Sequence, residues 1–145
     1  MATDVARLSF DPGRHYTGVV PQQGRVSLEA EDNEQRVIDA EERRKELLDV
    51  IGPAGTPDDG YRVSFHGPEL TVGPGTMYVG GLRAELDTPV RYTHQSDWLD
   101  GPTDLEAGLG HVVLLVRETD VTAVEDPMLF EPALGGPSSQ SDWWV

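Results

Sequence analysis

An α+β fold, mainly β, is predicted by three features of the sequence. Residues 27–51 contain no Gly or Pro, are rich in helix formers and end on Gly52-Pro53, a stop signal. Beyond that point the chain breaks into short alternating or apolar runs separated by Gly, Pro and Asp turns, the pattern of strands. Gly and Pro together supply 27 of the 145 residues, about 19% against a usual ~12%, so turns are frequent and strands short. The expected architecture is a set of short antiparallel strands and hairpins with one long N-terminal helix and extended arm and strap segments. Residues 1–26 form the arm, 27–51 the helix, and 52–145 a β-rich domain with a C-terminal strap, a single domain overall.

Each element follows from local chemistry. Asp11-Pro12-Gly13 is a turn, and Val19-Val20-Pro21 is an extended piece ending at a proline. In the helix, Glu29, Glu31 and Asp32 lie at the N-terminal end and Arg43, Arg44 and Lys45 in the last third, both placements favourable to the macrodipole. The pairs Asp32/Arg36, Asp39/Arg43 and Glu41/Lys45 add support at i,i+4. Tyr61 to Phe65 alternates with period two and reads as a strand with one wet face. His66-Gly67-Pro68-Glu69 turns the chain. Leu70 to Val72 and Met77 to Val79 are expected to make a tight hairpin around Gly73-Pro74-Gly75, with further strands at Leu82 to Leu86 and Val90 to His94. Gln95 to Gly110 is a long polar loop. His111 to Arg117 is the strongest expected strand: Val112 to Val116 is apolar on both faces, as a central strand would be. Val121 to Val124 is a last strand, and Pro127 to Ser141 an extended strap.

The helix carries a stripe at 3,4 spacing: Ala30, Asn33, Val37, Ala40, Arg44, Leu47 and Ile51, widened by Ile38 and Leu48. Two readings stand side by side. The stripe packs on the chain's own sheet, or it is a seam with another subunit in which Asn33 and Arg44 set the register. A buried Arg44 would need a carboxylate from another segment or subunit, since Glu41 and Glu46 do not point along the stripe. The alternative is Arg44 snorkelling to water over Ala40 and Leu47.

The composition also bounds function. Eleven basic residues face 26 acidic ones, a formal net charge of -15, and Lys45 is the only lysine; no basic stripe for a nucleic acid is present. The absence of cysteine removes disulfides, thiolate nucleophiles and Cys-ligated zinc. No apolar run approaches the ~18 residues of a membrane span, and the start of the chain lacks a signal-peptide core, so synthesis in a cytoplasm is expected. His15, His66, His94 and His111 fall into no metal-binding spacing, the serines into no GxSxG elbow, and the glycines at 73, 75, 80 and 81 into no phosphate loop. No catalytic residue, cofactor or metal is therefore expected. A carbohydrate- or calcium-dependent binding domain is the other reading, built on Tyr92, Trp98 and the oxygens of Asp97, Asp100, Thr103 and Asp104.

Several stretches in register resemble a known family. They are Phe10-Asp11-Pro12, His15-Tyr16-Thr17-Gly18-Val19, Gln22-Gln23-Gly24-Arg25-Val26, Asn33-Glu34-Gln35, Ile51-Gly52-Pro53 and Leu70 to Gly75 with Tyr78-Val79 and Gly81-Leu82. Val112 to Val116, Glu125-Asp126-Pro127 and Ala133 to Pro137 complete them. Together they resemble the N-terminal region of an uncharacterised family encoded in gene clusters for phage-tail-like contractile injection systems. Such relatives place a tryptophan where this chain has Asp32, and many continue well past the Ala133 to Pro137 strap. The resemblance implies a structural, non-enzymatic baseplate adaptor or attachment protein, present in multiple copies among other tail or baseplate subunits, in a particle that stays in the cytoplasm or is released. The residues expected to meet partners are Phe10, Tyr16, Gln22, Gln23 and Arg25 of the arm, Asn33 and Arg44 of the helix, and Trp143 and Trp144.

Overall fold

The computed structural model describes residues 9–95, 108, 110–131, 133, 136–137 and 141–144, the last two stretches through their backbone. Helix α1 spans Glu29–Ile51. At its start the Leu28 N–H donates to the Glu31 carboxylate at 3.2 Å. Leucine has no side-chain acceptor to offer in return, so this is half of a reciprocal cap. Acidic Glu29, Glu31 and Asp32 occupy the first turn, where the helix dipole favours them. At the other end Gly52 takes φ 89°, and its N–H closes the last turn on the Leu48 carbonyl at 2.9 Å.

Ten short strands follow among the described residues, all antiparallel. β1 (Ala54–Gly55), β4 (Gly75–Val79) and β5 (Leu82–Leu86) form one sheet in the order β1-β4-β5. β2 (Val63–His66), β3 (Glu69–Val72) and β6 (Val90–Arg91) form a second in the order β2-β3-β6. β7 (Glu118–Val121) pairs with β10 (Ser141–Trp144), and β8 (Phe130–Glu131) with β9 (Gly136–Pro137). The molecule is thus α+β and mainly β.

Both three-stranded sheets obey the two-residue period. In the second, Val63 faces Val72, Phe65 faces Leu70 and Val72 faces Val90, so these five apolar residues share one face, while Ser64, His66, Glu69, Thr71 and Arg91 share the other. Leu70, in the central strand, is 2% exposed. In the first sheet, Met77, Val79, Leu82, Ala84 and Leu86 share a face, with Ala84 buried, and Thr76, Tyr78, Arg83 and Glu85 lie opposite. The hairpin turns are Gly67-Pro68 between β2 and β3 and Gly80-Gly81 between β4 and β5. At Gly81 (φ 79°) an added Cβ would lie 2.5 Å from the Arg44 carbonyl oxygen, so the helix rests directly on this turn.

Five expectations are corrected. Gly73-Pro74-Gly75 is a crossover between the two sheets and not a hairpin, because β3 and β4 never pair. Gly73 donates to the Arg62 carbonyl at 2.8 Å, Pro74 has no N–H to give, and Gly75 (φ 133°) passes so close to Gly60 that a Cβ would lie 2.6 Å from its Cα. Residues 111–117 form no strand: the segment pairs with no strand among the described residues, and Val113 and Leu115 are 82% and 81% exposed. Apolarity alone does not make a strand without a neighbouring edge. The strand expected over 90–94 ends at Arg91 and tightens into a 3-10 turn, Tyr92–His94. The one expected over 121–124 lies earlier, at Glu118–Val121, because Thr122 opens a turn in which the Glu125 carboxylate accepts from its N–H at 2.8 Å and its hydroxyl at 2.9 Å. Finally, the stripe of α1 is interrupted in the middle: Ile38 is 1% exposed and Ala30, Asn33, Val37, Leu47, Leu48 and Ile51 are half-buried, as are Glu34, Gln35 and Glu41 beside them, while Ala40 and Arg44 are exposed.

Candidate functional site

The arm is held to the helix by polar contacts. Asp11 caps a 3-10 turn, Pro12–Arg14, accepting from Gly13 N–H at 3.0 Å. Before it, the Ser9 hydroxyl donates to the Glu34 carboxylate; after it, the Val19 N–H donates to Gln35 Oε1 at 2.6 Å. Gln35 Nε2 in turn donates to Asp39 at 2.7 Å, which orients the side-chain amide so that its oxygen meets the arm. Gly18 passes close enough that a Cβ would lie 3.3 Å from the same oxygen.

The residues expected to meet partners are dispersed along this framework. Phe10 is half-buried, whereas Tyr16, Gln22, Gln23 and Arg25 are exposed. Gln22 and Arg25 join Val20, Pro21 and Glu31 in lining a shallow cavity of about 180 Å³ at the start of α1, where the Arg25 N–H donates to the Gln22 carbonyl at 3.2 Å. Asn33 is half-buried on the helix. Arg44 lies eleven residues on, about 16 Å along the axis, too far to belong to the same site. Its Nε donates to the Gly80 carbonyl at 3.0 Å, and Nη1 stands 3.6 Å from Glu41 of its own helix. The acid from another segment or subunit that a buried Arg44 would need is not called for: the side chain is 47% exposed and its long stem reaches a hairpin carbonyl. Trp143 and Trp144 fall at register positions opposite Thr119 and Glu118. Trp98, Asp97, Asp100, Thr103 and Asp104 lie outside the described residues; Tyr92 is half-buried in its 3-10 turn.

One cluster escaped sequence reasoning. Asp58 ties the β1–β2 loop to β4: its Oδ1 accepts from Thr76 N–H and Gly60 N–H, both at 3.1 Å. The Thr56 hydroxyl donates to the Thr76 carbonyl at 2.7 Å and accepts from Gly60 N–H at 2.9 Å. Thr76 is buried beneath this knot. The Thr76 N–H beside it, then burial opposing, then the Thr56 hydroxyl and Gly60 N–H, leave the Asp58 carboxyl below its ordinary value. The signal was present in Thr56-Pro57-Asp58-Asp59-Gly60, since threonine and aspartate side chains bond backbone in turns.

Around the knot the backbone is unusual: Asp59 (φ 59°) and Tyr61 (φ 60°) both take the left-handed conformation that non-glycine residues avoid. Tyr61 is half-buried, and burial together with nearby Glu85 pushes its phenol upward. Beside it Arg83 bonds Glu85 and Tyr78, which raise the guanidinium further. This face combines two phenols with an ion pair, a surface suited to polar contact. Among the described residues no three His, Asp or Glu side chains gather to hold a metal ion, and no helix is long and apolar enough to cross a membrane.

The model of a family of unknown function, DUF6519, matches residues 1–145. The chain belongs to DUF6519. No curated protein and no solved structure matches it. The frame of this DUF6519 chain is therefore the one set out above: a helix seated on a Gly-Gly turn, two small sheets joined at a glycine crossover, and an arm laid along the helix.

Proposed function

We propose that this protein is a structural adaptor, without catalytic activity of its own, in the baseplate region of a phage-tail-like contractile injection particle. The observation that carries the reading is the outward placement of large apolar side chains outside the sheets and the long helix: Val20 and Val26 in the arm, Val113 and Leu115 in the 111–117 segment, and Met128 in a 3-10 turn beyond it, each more than four-fifths exposed. Apolar surface of this kind gains most when a neighbouring subunit covers it. The arm fits the same role, because it is fastened by hydrogen bonds along the helix and leaves Tyr16, Gln22, Gln23 and Arg25 facing outward. The resemblance of the Gln22 to Val26, Asn33 to Gln35 and Leu70 to Gly75 stretches to the injection-system family supplies the identity of the particle.

Deleting the gene in its host and viewing the particles by negative-stain microscopy tests the proposal. Truncated particles or particles lacking baseplates are expected, restored by the intact gene and not by one lacking residues 1–20. Complete particles from the deletion strain would overturn it.

A further inference from the structure

Two features of the chain are unsatisfied alone and complementary to each other. The first is the outer edge of β2, which pairs only with β3 among the described residues. Its apolar positions continue the Leu70 face outward, and Phe65 there is 67% exposed. The second is Val112 to Val116: outside any helix or strand, apolar at five consecutive positions, rich in β-branched residues and paired with no strand among the described residues. A strand edge with an exposed apolar flank takes up an extended apolar segment by main-chain hydrogen bonding, with alternate side chains settling on the sheet.

Charge points the same way. In a chain of net charge -15, Val63 to His66 contains no Asp, Glu, Lys or Arg, and neither does residues 107–116. These are places where two copies approach with least like-charge repulsion. Both halves of the contact lie on one chain and are not joined to each other within it, so a pair of copies related by a two-fold axis satisfies both twice over.

We propose that residues 112–116 of one copy add as a strand to the free edge of β2 in a second copy, reciprocally, giving a strand-exchanged dimer. The inference stands independently of the particle assignment, since its test uses the purified chain alone.

Because the chain has no cysteine, introduced ones report without background. Full-length chain carrying Ser64→Cys is mixed with full-length chains carrying cysteine at 112, 113, 114, 115 or 116 in turn, and oxidised. The expected result is a cross-linked heterodimer at alternate positions, the period-two signature of a strand beside β2. In sedimentation the wild-type dimer should strengthen as salt rises from about 0.05 to 0.5 M, as screening relieves the repulsion between acidic copies. Phe65→Lys and Leu115→Lys, both at exposed positions, should give monomers that still unfold cooperatively, at a melting temperature independent of protein concentration where the wild-type value rises with it. The proposal is overturned by a wild-type chain that is monomeric throughout, by Lys variants that still dimerise, by cross-linking without alternation, by Ser64→Cys linking only to itself, or by a doubly substituted chain that closes within one molecule at high dilution.

Discussion

Leu70-Thr71-Val72 and Val112 to Val116 are both apolar and β-prone, and the second is the longer and more apolar of the two. Yet the first is the central strand of a sheet, with Leu70 closed from solvent, and the second lies outside any sheet with Leu115 81% exposed. What separates them is their flanks. The 54–91 region has turns whose residues supply their own hydrogen bonds and left-handed glycines: Gly67-Pro68, Gly80-Gly81 and the Asp58 knot. The two glycine turns return the chain beside itself and so provide the edge that a strand needs, and the knot fastens the β1–β2 loop to β4. Val112 to Val116 has no such turn beside it among the described residues. A strand is a property of a pair, and apolarity decides only which face of the pair is buried.

The contrast can be broken most forcefully by truncating matched leucines. Leu70→Ala should cost about 2–5 kcal/mol in urea unfolding, as burial predicts, whereas Leu115→Ala should change stability by less than about 0.5 kcal/mol in the monomer. Equal effects would mean that the two regions are packed alike. Next comes Gly60→Ala. Its Cβ would lie 2.5 Å from the Thr76 N and 2.7 Å from the Thr76 O, both backbone atoms, so the knot must open at a cost of about 1–3 kcal/mol.

The third test is of pH. The folded Asp58 carboxyl sits below its ordinary value, so its ionised form stabilises the fold above the usual carboxylate range, and this contribution is lost as pH falls through that range towards the lowered native value. Asp58→Asn should lower the melting temperature at pH 7 and narrow the gap between melts at pH 7 and pH 3; an unchanged gap would show that the knot does not depend on the charge. The smallest effect is in the β7–β10 ribbon, where Asp120 stands opposite Asp142 in the register. Like charges directly opposed are unfavourable, so Asp120→Lys should protect the amides of residues 118–121 from hydrogen exchange by an amount equivalent to about 0.2–1 kcal/mol.

Much of this frame was legible in the sequence, and the reasons are specific. The helix was visible because an uninterrupted run of good formers ends at Gly52-Pro53. The strands over 69–72, 75–79 and 82–86 were visible because glycine and proline mark their ends. Which turns close hairpins was not visible: Gly73-Pro74-Gly75 carries the same residues as a tight turn, and only the approach of Gly75 to Gly60, fifteen residues away, sends the chain into the other sheet. The helix stripe was legible except at Ala40 and Arg44, which are exposed, and counting apolar residues does not show that the arm covers the helix through the polar Glu34 and Gln35. For Arg44 the sequence leaves open a buried charge in search of an acid and a side chain snorkelling to water; the side chain is half-exposed and reaches a main-chain oxygen, which only the folded turn supplies. The Asp58 knot was legible in type, through Thr56 and Asp58, but its target Thr76 is twenty residues from Thr56 and unmarked.

The seat of the helix on the Gly80-Gly81 turn has a consequence for descent. At Gly81 the helix meets main chain, with the Arg44 carbonyl oxygen where any side chain at 81 would begin. The meeting is made by the main chain at 44 together with the Arg44 side chain, whose Nε donates to the Gly80 carbonyl, so lineages of this family are free to rewrite the rest of the helix surface without moving the seat. Position 81 has no such freedom. A relative that carries a larger residue there must have lifted its helix from the hairpin, and the identity of that single residue therefore sorts relatives that keep this frame from those that have remade it.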